Sequence, residues 1–157
     1  AQHSDKDDDS RERWGTGDAR INSIELIASD GLHTQLVESN AAVQVRCQIT
    51  AHVRIDSPIL RIKITKLNGD IIWVTSTQRG TNTLRVLEGP ATATLDIPKL
   101  GLLEGTYYLS ASLSDPTGTT EFDHCQNWIR FNVHKTNLFD EGVVSVDSTW
   151  SLERHHR

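Results

Sequence analysis

The sequence predicts an all-β protein, two antiparallel sheets packed face to face, and three observations carry that expectation. Segment Val43–Arg54 alternates apolar Val43, Val45, Cys47, Ile49, Ala51 and Val53 with polar Gln44, Arg46, Gln48, Thr50, His52 and Arg54. Segment Tyr107–Ser114 alternates again, with Tyr107, Leu109, Ala111 and Leu113 against Tyr108, Ser110, Ser112 and Ser114. Successive side chains of a strand point to opposite faces, so such alternation marks one buried and one wet face. Third, segments of this kind recur between turn signals with no helical period separating them. The pattern describes an antiparallel β-sandwich of about seven or eight strands.

The strands follow in order. Ile21–Ala28 is the first, with Ile24 and Leu26 inward, and Asp30-Gly31 turns the chain. In Val43–Arg54 the register is strongly specified, because a one-residue slip would place every polar side chain in the core. After Asp56-Ser57-Pro58 the next strand holds Leu60, Ile62 and Ile64 inward and Arg61, Lys63 and Thr65 outward. Asn68-Gly69-Asp70 is a hairpin signal leading into Ile71–Val74, and Ser76–Thr83 reads as a loop. Ala91, Ala93, Leu95 and Ile97 alternate with Thr92, Thr94 and Asp96 until Pro98 ends that strand. Pro98, Gly101 and Gly105 then punctuate a turn expected to need positive φ. Leu102–Tyr107 resembles a tyrosine corner, in which the ring opens a central strand and its hydroxyl bonds back to the turn. Asp115-Pro116-Thr117-Gly118 turns again, and Asn127, Ile129, Phe131 and Val133 alternate with Gln126, Trp128, Arg130 and Asn132. Gly142–Trp150 supplies material for one more short strand, separated from the body by polar Lys135–Glu141.

Composition narrows the function. The 157 residues suffice for one core with appendages. A net charge of −5 argues against a nucleic-acid partner. No apolar run approaches a membrane span or a secretory signal. The absence of methionine suggests a piece of a longer protein. Ala1–Arg13, with its run Asp5–Arg13, is expected to be an acidic disordered linker, and His3 with the aspartates is not preorganised for metal. Two cysteines are too few for a disulfide framework, and Cys47 reads as a small buried thiol.

Catalytic signatures are absent. There is no nucleophile elbow, phosphate loop or metal-ligand spacing, so no enzyme activity, metal or cofactor is expected. The compact cluster Asp123-His124-Cys125 reads as a loop cap or a ligand contact by His124, and His155-His156 as a solvated tail. The outward faces are more informative. Trp128, Arg130, Tyr108 and Ser110 are expected to form one patch, since outward neighbours on adjacent strands come within about 5 Å. An indole stacks on sugar C–H faces, and arginine pairs with carboxylate or phosphate. Arg46, Gln48 and His52 form a second polar row on the other long strand.

At this point the residues carry a resemblance. Trp14-Gly15-Thr16-Gly17-Asp18-Ala19-Arg20-Ile21, Asn68-Gly69-Asp70, Thr81-Asn82-Thr83, Leu100–Asp115, Asp123-His124 and Gly142-Val143-Val144…Trp150 occur in this order. Together they resemble the C-terminal domain of Wzt, the ATP-binding subunit of O-antigen polysaccharide ABC transporters. The resemblance implies an immunoglobulin-like or jelly-roll β-sandwich, a non-catalytic carbohydrate-binding module that recognises the modified non-reducing end of the finished O-antigen. It also implies a location at the cytoplasmic face of the bacterial inner membrane, behind a nucleotide-binding domain and beside transmembrane subunits. A homodimer that exchanges its C-terminal strand is implied as well. The expected division is then residues 1–13 as linker, 14–134 as the glycan-binding sandwich, and 135–157 as the C-terminal strand and tail. A protein-interaction or structural sandwich is the alternative.

Overall fold

The computed structural model describes residues 10–78, 84–134 and 140–154, and every regular element among them is a strand. These are β1 (Glu12–Trp14), β2 (Ala19–Ala28), β3 (Leu36–Glu38), β4 (Val43–Asp56), β5 (Ile59–Lys66), β6 (Ile71–Ser76), β7 (Val86–Ile97), β8 (Gly105–Ser114) and β9 (Glu121–His134). One sheet runs β1-β9-β8-β5-β6, with the short β3 parallel to the end of β9, and the second runs β2-β4-β7. The protein is an all-β sandwich.

The inward residues of the long strands meet between the sheets. Ile21, Ile24, Leu26, Val45, Cys47 and Ile49 come from one sheet, and Ile62, Ile64, Leu109, Leu113, Cys125 and Phe131 from the other. Burial of each large side chain contributes about 1.5–3 kcal/mol, which is why the alternation, once read, dictates the layering. Both cysteines are free and buried. Burial, then the neighbouring Cys125, pushes the Cys47 thiol up to about 12. Burial, then Asp123, pushes Cys125 up to about 11.

The tyrosine corner is present: the Tyr107 hydroxyl donates to the Leu103 carbonyl at 2.7 Å. Neither Gly101 nor Gly105 takes positive φ, contrary to expectation. Gly105 instead lies close under the Tyr107 ring, where a Cβ would sit 3.1 Å from the hydroxyl oxygen and the ring would have to shift by a few tenths of an ångström.

Several elements differ from the sequence reading. Glu12 and Arg13 are not linker but part of β1, paired antiparallel with Gln126 and Cys125 of β9. A charged run lacks the apolar face of a body strand, yet an edge strand needs only backbone pairing and a partner for its inward charge. The following Gly15 lies against the Phe122 backbone, where a Cβ would fall 2.4 Å from the carbonyl oxygen. β3 escaped notice because three residues are too few to show a period. The polar face of β8 is covered, with Tyr108, Ser110, Ser112 and Ser114 all buried. Asp123-His124-Cys125 lies within β9, not in a loop. The tail forms no strand among its described residues, only a bridge between Val144 and Leu102. Thr81-Asn82-Thr83, the His3 region and His155-His156 lie outside the described residues.

Candidate binding surface

On the outer face of the larger sheet, register brings together residues far apart in sequence. Trp14 pairs with His124, His124 with Ser112, Ser112 with Arg61, and Arg61 with Ser76. Five strands at about 4.8 Å spacing make this a transverse row roughly 19 Å long. Its first two rings stack at 4.0 Å between centroids and 12° between planes. Glu121 anchors both: one carboxylate oxygen accepts the Trp14 indole N–H at 2.9 Å, the other lies 2.7 Å from His124 Nδ1. His124 Nε2 lies 2.8 Å from the Gln126 side-chain oxygen. Burial pushes the Glu121 carboxyl up, but the hydrogen bonds from His124 and Trp14 and the charges of His124 and Arg61 outweigh it. The carboxyl is held below its ordinary value. Lys63, two residues along β5 from Arg61, stands opposite Ser110. Arg61, Lys63, Val74, Ser110, Ser112 and His124 line a cavity of about 200 Å³ on this face, with Glu121 at its rim.

The expected patch of Trp128, Arg130, Tyr108 and Ser110 is rearranged by a bulge. Leu109 pairs with Ile129 and Ala111 with Cys125, so Gln126, Asn127 and Trp128 all oppose Ser110. Asn127 takes φ of 52° there, and its N–H donates to Ser110 Oγ at 2.8 Å. Tyr108 is not an outward, wet residue: it is buried, and its hydroxyl accepts from Ser10 at 3.0 Å. Trp128 is half-buried beneath the guanidinium groups of Arg11 and Arg13, 4.8 and 5.5 Å from its ring centre. Arg130 stays exposed opposite Tyr108. Alternation alone foresaw neither the bulge nor the arginine cover. Of the residues proposed from sequence, His124 is the one that register places in the transverse row.

The second predicted row lies on β4, the central strand of the smaller sheet. Gln48 accepts from Thr92 at 2.8 Å, and Arg46 reaches Gln44 at 3.4 Å. His52 is exposed where the β4–β7 register shifts after Ala51, so it is separated from the ordered cross-strand pairs. Arg46 borders a cavity of about 440 Å³ with Gln44, Asp96 and Pro98. A third cavity, about 330 Å³, opens between the sheets against Val45, Cys47, Leu60, Ile62, Ala93 and Leu95. Thr75, Ser76, Thr77 and Thr94 complete its lining, so apolar and hydroxyl-bearing side chains share it.

Sequence reasoning missed Trp14, Arg61, Lys63 and Ser112 as a group. The outward placement of Arg61 and Lys63 was legible, but their neighbours depend on which strand lies alongside. The reactive cluster is divided by the pleat. Asp123 and Cys125 point inward, Asp123 onto Arg13 at 2.6 Å, while His124 points outward. With its thiol pushed up to about 11, Cys125 is a poor nucleophile. Among the described residues no group of three or more His, Cys, Asp or Glu side chains is placed to hold a metal.

Comparison with known proteins follows the same architecture. The crystal structure of the C-terminal domain of Wzt superposes with a TM-score of 0.82 at 19% identity, covering 92% of this chain and 90% of that one. A Niemann-Pick type C2 protein from the Japanese carpenter ant superposes at 0.55 with 7% identity, over 79% of this chain and 98% of that one. At such identities both likenesses concern the fold. No curated protein matches. The family model described as the Wzt C-terminal domain matches residues 10–146. The chain belongs to the Wzt C-terminal domain family, a family of non-catalytic carbohydrate-binding domains in O-antigen transport.

Proposed function

We propose that this domain recognises the modified non-reducing end of an O-antigen polysaccharide, and that it does so on the outer face of the larger sheet. Family membership supports the general role, carbohydrate binding in O-antigen transport. The observation that carries the location is the transverse row Trp14–His124–Ser112–Arg61. It offers an indole, 45% exposed and stacked on a His124 ring whose two nitrogens are engaged by Glu121 and Gln126, beside donors of two kinds, the Ser112 hydroxyl and the Arg61 guanidinium. A sugar ring needs that combination, an apolar C–H face to cover and hydroxyls to bond. In this reading the domain sits at the cytoplasmic face of the inner membrane and reports a finished glycan to its transporter. Among the described residues no helix is long and apolar enough to cross a membrane.

The dimer is part of the same reading. Val143 packs on the core, and Leu103 and Gly101 hydrogen-bond to Val143 and Ser145, so the first residues of the tail are docked. Beyond them Val146, Trp150 and Leu152 are 74%, 101% and 83% exposed. A second copy would cover these side chains, and two weak sites in one assembly strengthen binding where several glycan ends are presented together.

The test is a titration of the chain with capped and uncapped polysaccharide. Trp14→Ala is expected to weaken binding of the capped form at least about tenfold, the loss of one stacked ring, while Arg46→Ala binds as the parent does. The reverse result would move the site to the smaller sheet.

A further inference from the structure

The cavity between the sheets is framed by ordered cross-strand neighbours. On the larger sheet Ile62 pairs with Thr75, and the Leu60 carbonyl accepts the Thr77 N–H at 3.0 Å. On the smaller sheet Val45 pairs with Leu95, and Cys47 with Ala93. Together they line a space of about 330 Å³. Its place follows from strand order. β6 ends one sheet and β7 ends the other, so both flanks lack a further strand on the same side of the sandwich. The inward residues of β7, Ala91, Ala93, Leu95 and Ile97, stay half-buried. Their β4 partners Ile49, Cys47, Val45 and Val43 are no more than 3% exposed. Two of the four β7 residues are alanines, too small to close the gap between sheets that pack about 10 Å apart.

The space is too large for a packing defect. Protein interiors hold few voids bigger than a water molecule, and this one equals about ten waters at ~30 Å³ each. The C-terminal tail does not fill it. Val144 lines a separate cavity of about 260 Å³ with Trp73 and Ile97, and no residue of 140–154 lines this one. The lining is also chemically uniform. Among its residues none is charged, and the Cys47 thiol, pushed up to about 12 by burial, stays neutral. The deep wall is Val45, Leu60 and Ile62, each no more than 4% exposed. Hydroxyls sit on the β6 side, towards the open flank. Thr75 shares the inward face of Ile62, and Thr77 Oγ1 accepts the Leu60 N–H at 3.2 Å and keeps its own proton to donate. A ligand here meets an apolar wall first and hydroxyls at the mouth, and a charge would be buried without a counter-charge.

We infer that this cavity binds an uncharged amphiphile, an alkyl chain of roughly eight to ten carbons ending in a hydroxyl, each carbon taking about the room of one water. The chain lies against Val45, Leu60, Ile62 and Leu95, and the head group meets Thr75 and Thr77. The site goes beyond the carbohydrate reading, because it opens between the sheets and shares no residue with the transverse row except Ser76 at its margin.

The experiment titrates the full chain with octan-1-ol, butan-1-ol and octanoate at pH 8, following the amide resonances of Thr75, Thr77 and Ala93. Octan-1-ol is expected to shift them saturably. Butan-1-ol should bind at least about tenfold more weakly, for want of four buried methylenes. Octanoate should also bind at least about tenfold more weakly, because its charge would be buried unpaired. Ala93→Leu fills the space from β7 and is expected to weaken octan-1-ol at least about tenfold while melting no lower than the parent. Thr75→Val keeps the volume, removes a hydroxyl, and should weaken octan-1-ol about three- to tenfold. Both variants are expected to bind polysaccharide as the parent does. No saturable shift with octan-1-ol, or equal binding of octan-1-ol and octanoate, overturns the inference. So does parent-like octan-1-ol binding in Ala93→Leu and Thr75→Val. A folded Ala93→Leu that loses polysaccharide together with octan-1-ol would overturn it too, by making the cavity part of the glycan site.

Discussion

Arg13 closes on Asp123 through both arms of its fork, Nε to one carboxylate oxygen at 3.0 Å and Nη2 to the other at 2.6 Å. Asp123 is 1% exposed and also accepts the Ile21 N–H from the opposite sheet at 2.8 Å. One buried carboxylate therefore joins β1, β9 and β2. The Asp123 bond, together with its charge, raises the Arg13 guanidinium above its ordinary value against the opposing effect of burial.

Arg13→Ala should accordingly destabilise the domain, because it strands a buried carboxylate. Complete loss of a buried partner costs about 3–5 kcal/mol. Arg13 is 30% exposed and Arg20 stands 3.8 Å from the same oxygen, so roughly 2–3 kcal/mol is expected. Thermal unfolding should shift down by about 5–10 °C. Truncation through Arg13 should do at least as much, the opposite of what a linker would show. A shift under about 2 °C would mean that Arg20 replaces Arg13.

Tyr107→Phe removes the hydroxyl that bonds Leu103 and keeps the ring that stacks on Phe131 at 5.6 Å. The expected cost is about 1–1.5 kcal/mol, the net worth of one buried hydrogen bond. Equilibrium urea unfolding should show it as a lower midpoint with an unchanged slope.

Both thiols should be inert in the native state. With values of about 12 and 11, Cys47 and Cys125 present at pH 8 roughly one thiolate in a thousand or fewer, behind a closed core. A thiol reagent is expected to label neither until denaturant is added, and then both. Fast labelling of the folded chain would show that the sandwich opens.

Glu121 should make stability depend on acid. Its carboxyl is held below the ordinary value, so its contribution is present above that ordinary value and is lost as pH falls through the lowered one. Glu121→Gln should therefore lower stability at neutral pH and flatten the acid limb of the melting profile. Parallel acid limbs for parent and variant would assign that limb to other carboxylates.

The docked beginning and exposed end of the tail bear on assembly. Deleting Val146–Arg157 leaves the Val143 and Val144 contacts in place, and sedimentation is expected to change from dimer to monomer. A monomeric parent would dispose of the exchanged strand.

Alternation along single strands was legible without any structure. Val43–Ala51 and Tyr107–Leu113 declare their inward residues one by one, because burying one face is a local property with period two; Val53, expected inward by the same alternation, is 50% exposed where the β4–β7 register shifts. Tyr107 and its corner were legible for a similar reason, since donor and acceptor lie four residues apart. The transverse row was not. Trp14 meets His124, and Arg61 meets Ser112, only because β1-β9-β8-β5 lie side by side, and strand order is decided by long-range packing. The bulge at Asn127 shows the same limit: two extra residues opposite Ser110 re-aim Trp128, and nothing in the alternation announces them. The polar face of β8 read as wet and is buried, because a strand flanked on both sides has its small serines covered by longer neighbours. The amino-acid sequence by itself determined which residues face inward along the regular stretches of the long strands; the tertiary structure decided where that regularity breaks and which outward residues became neighbours, because register and strand order are set between elements and not within them.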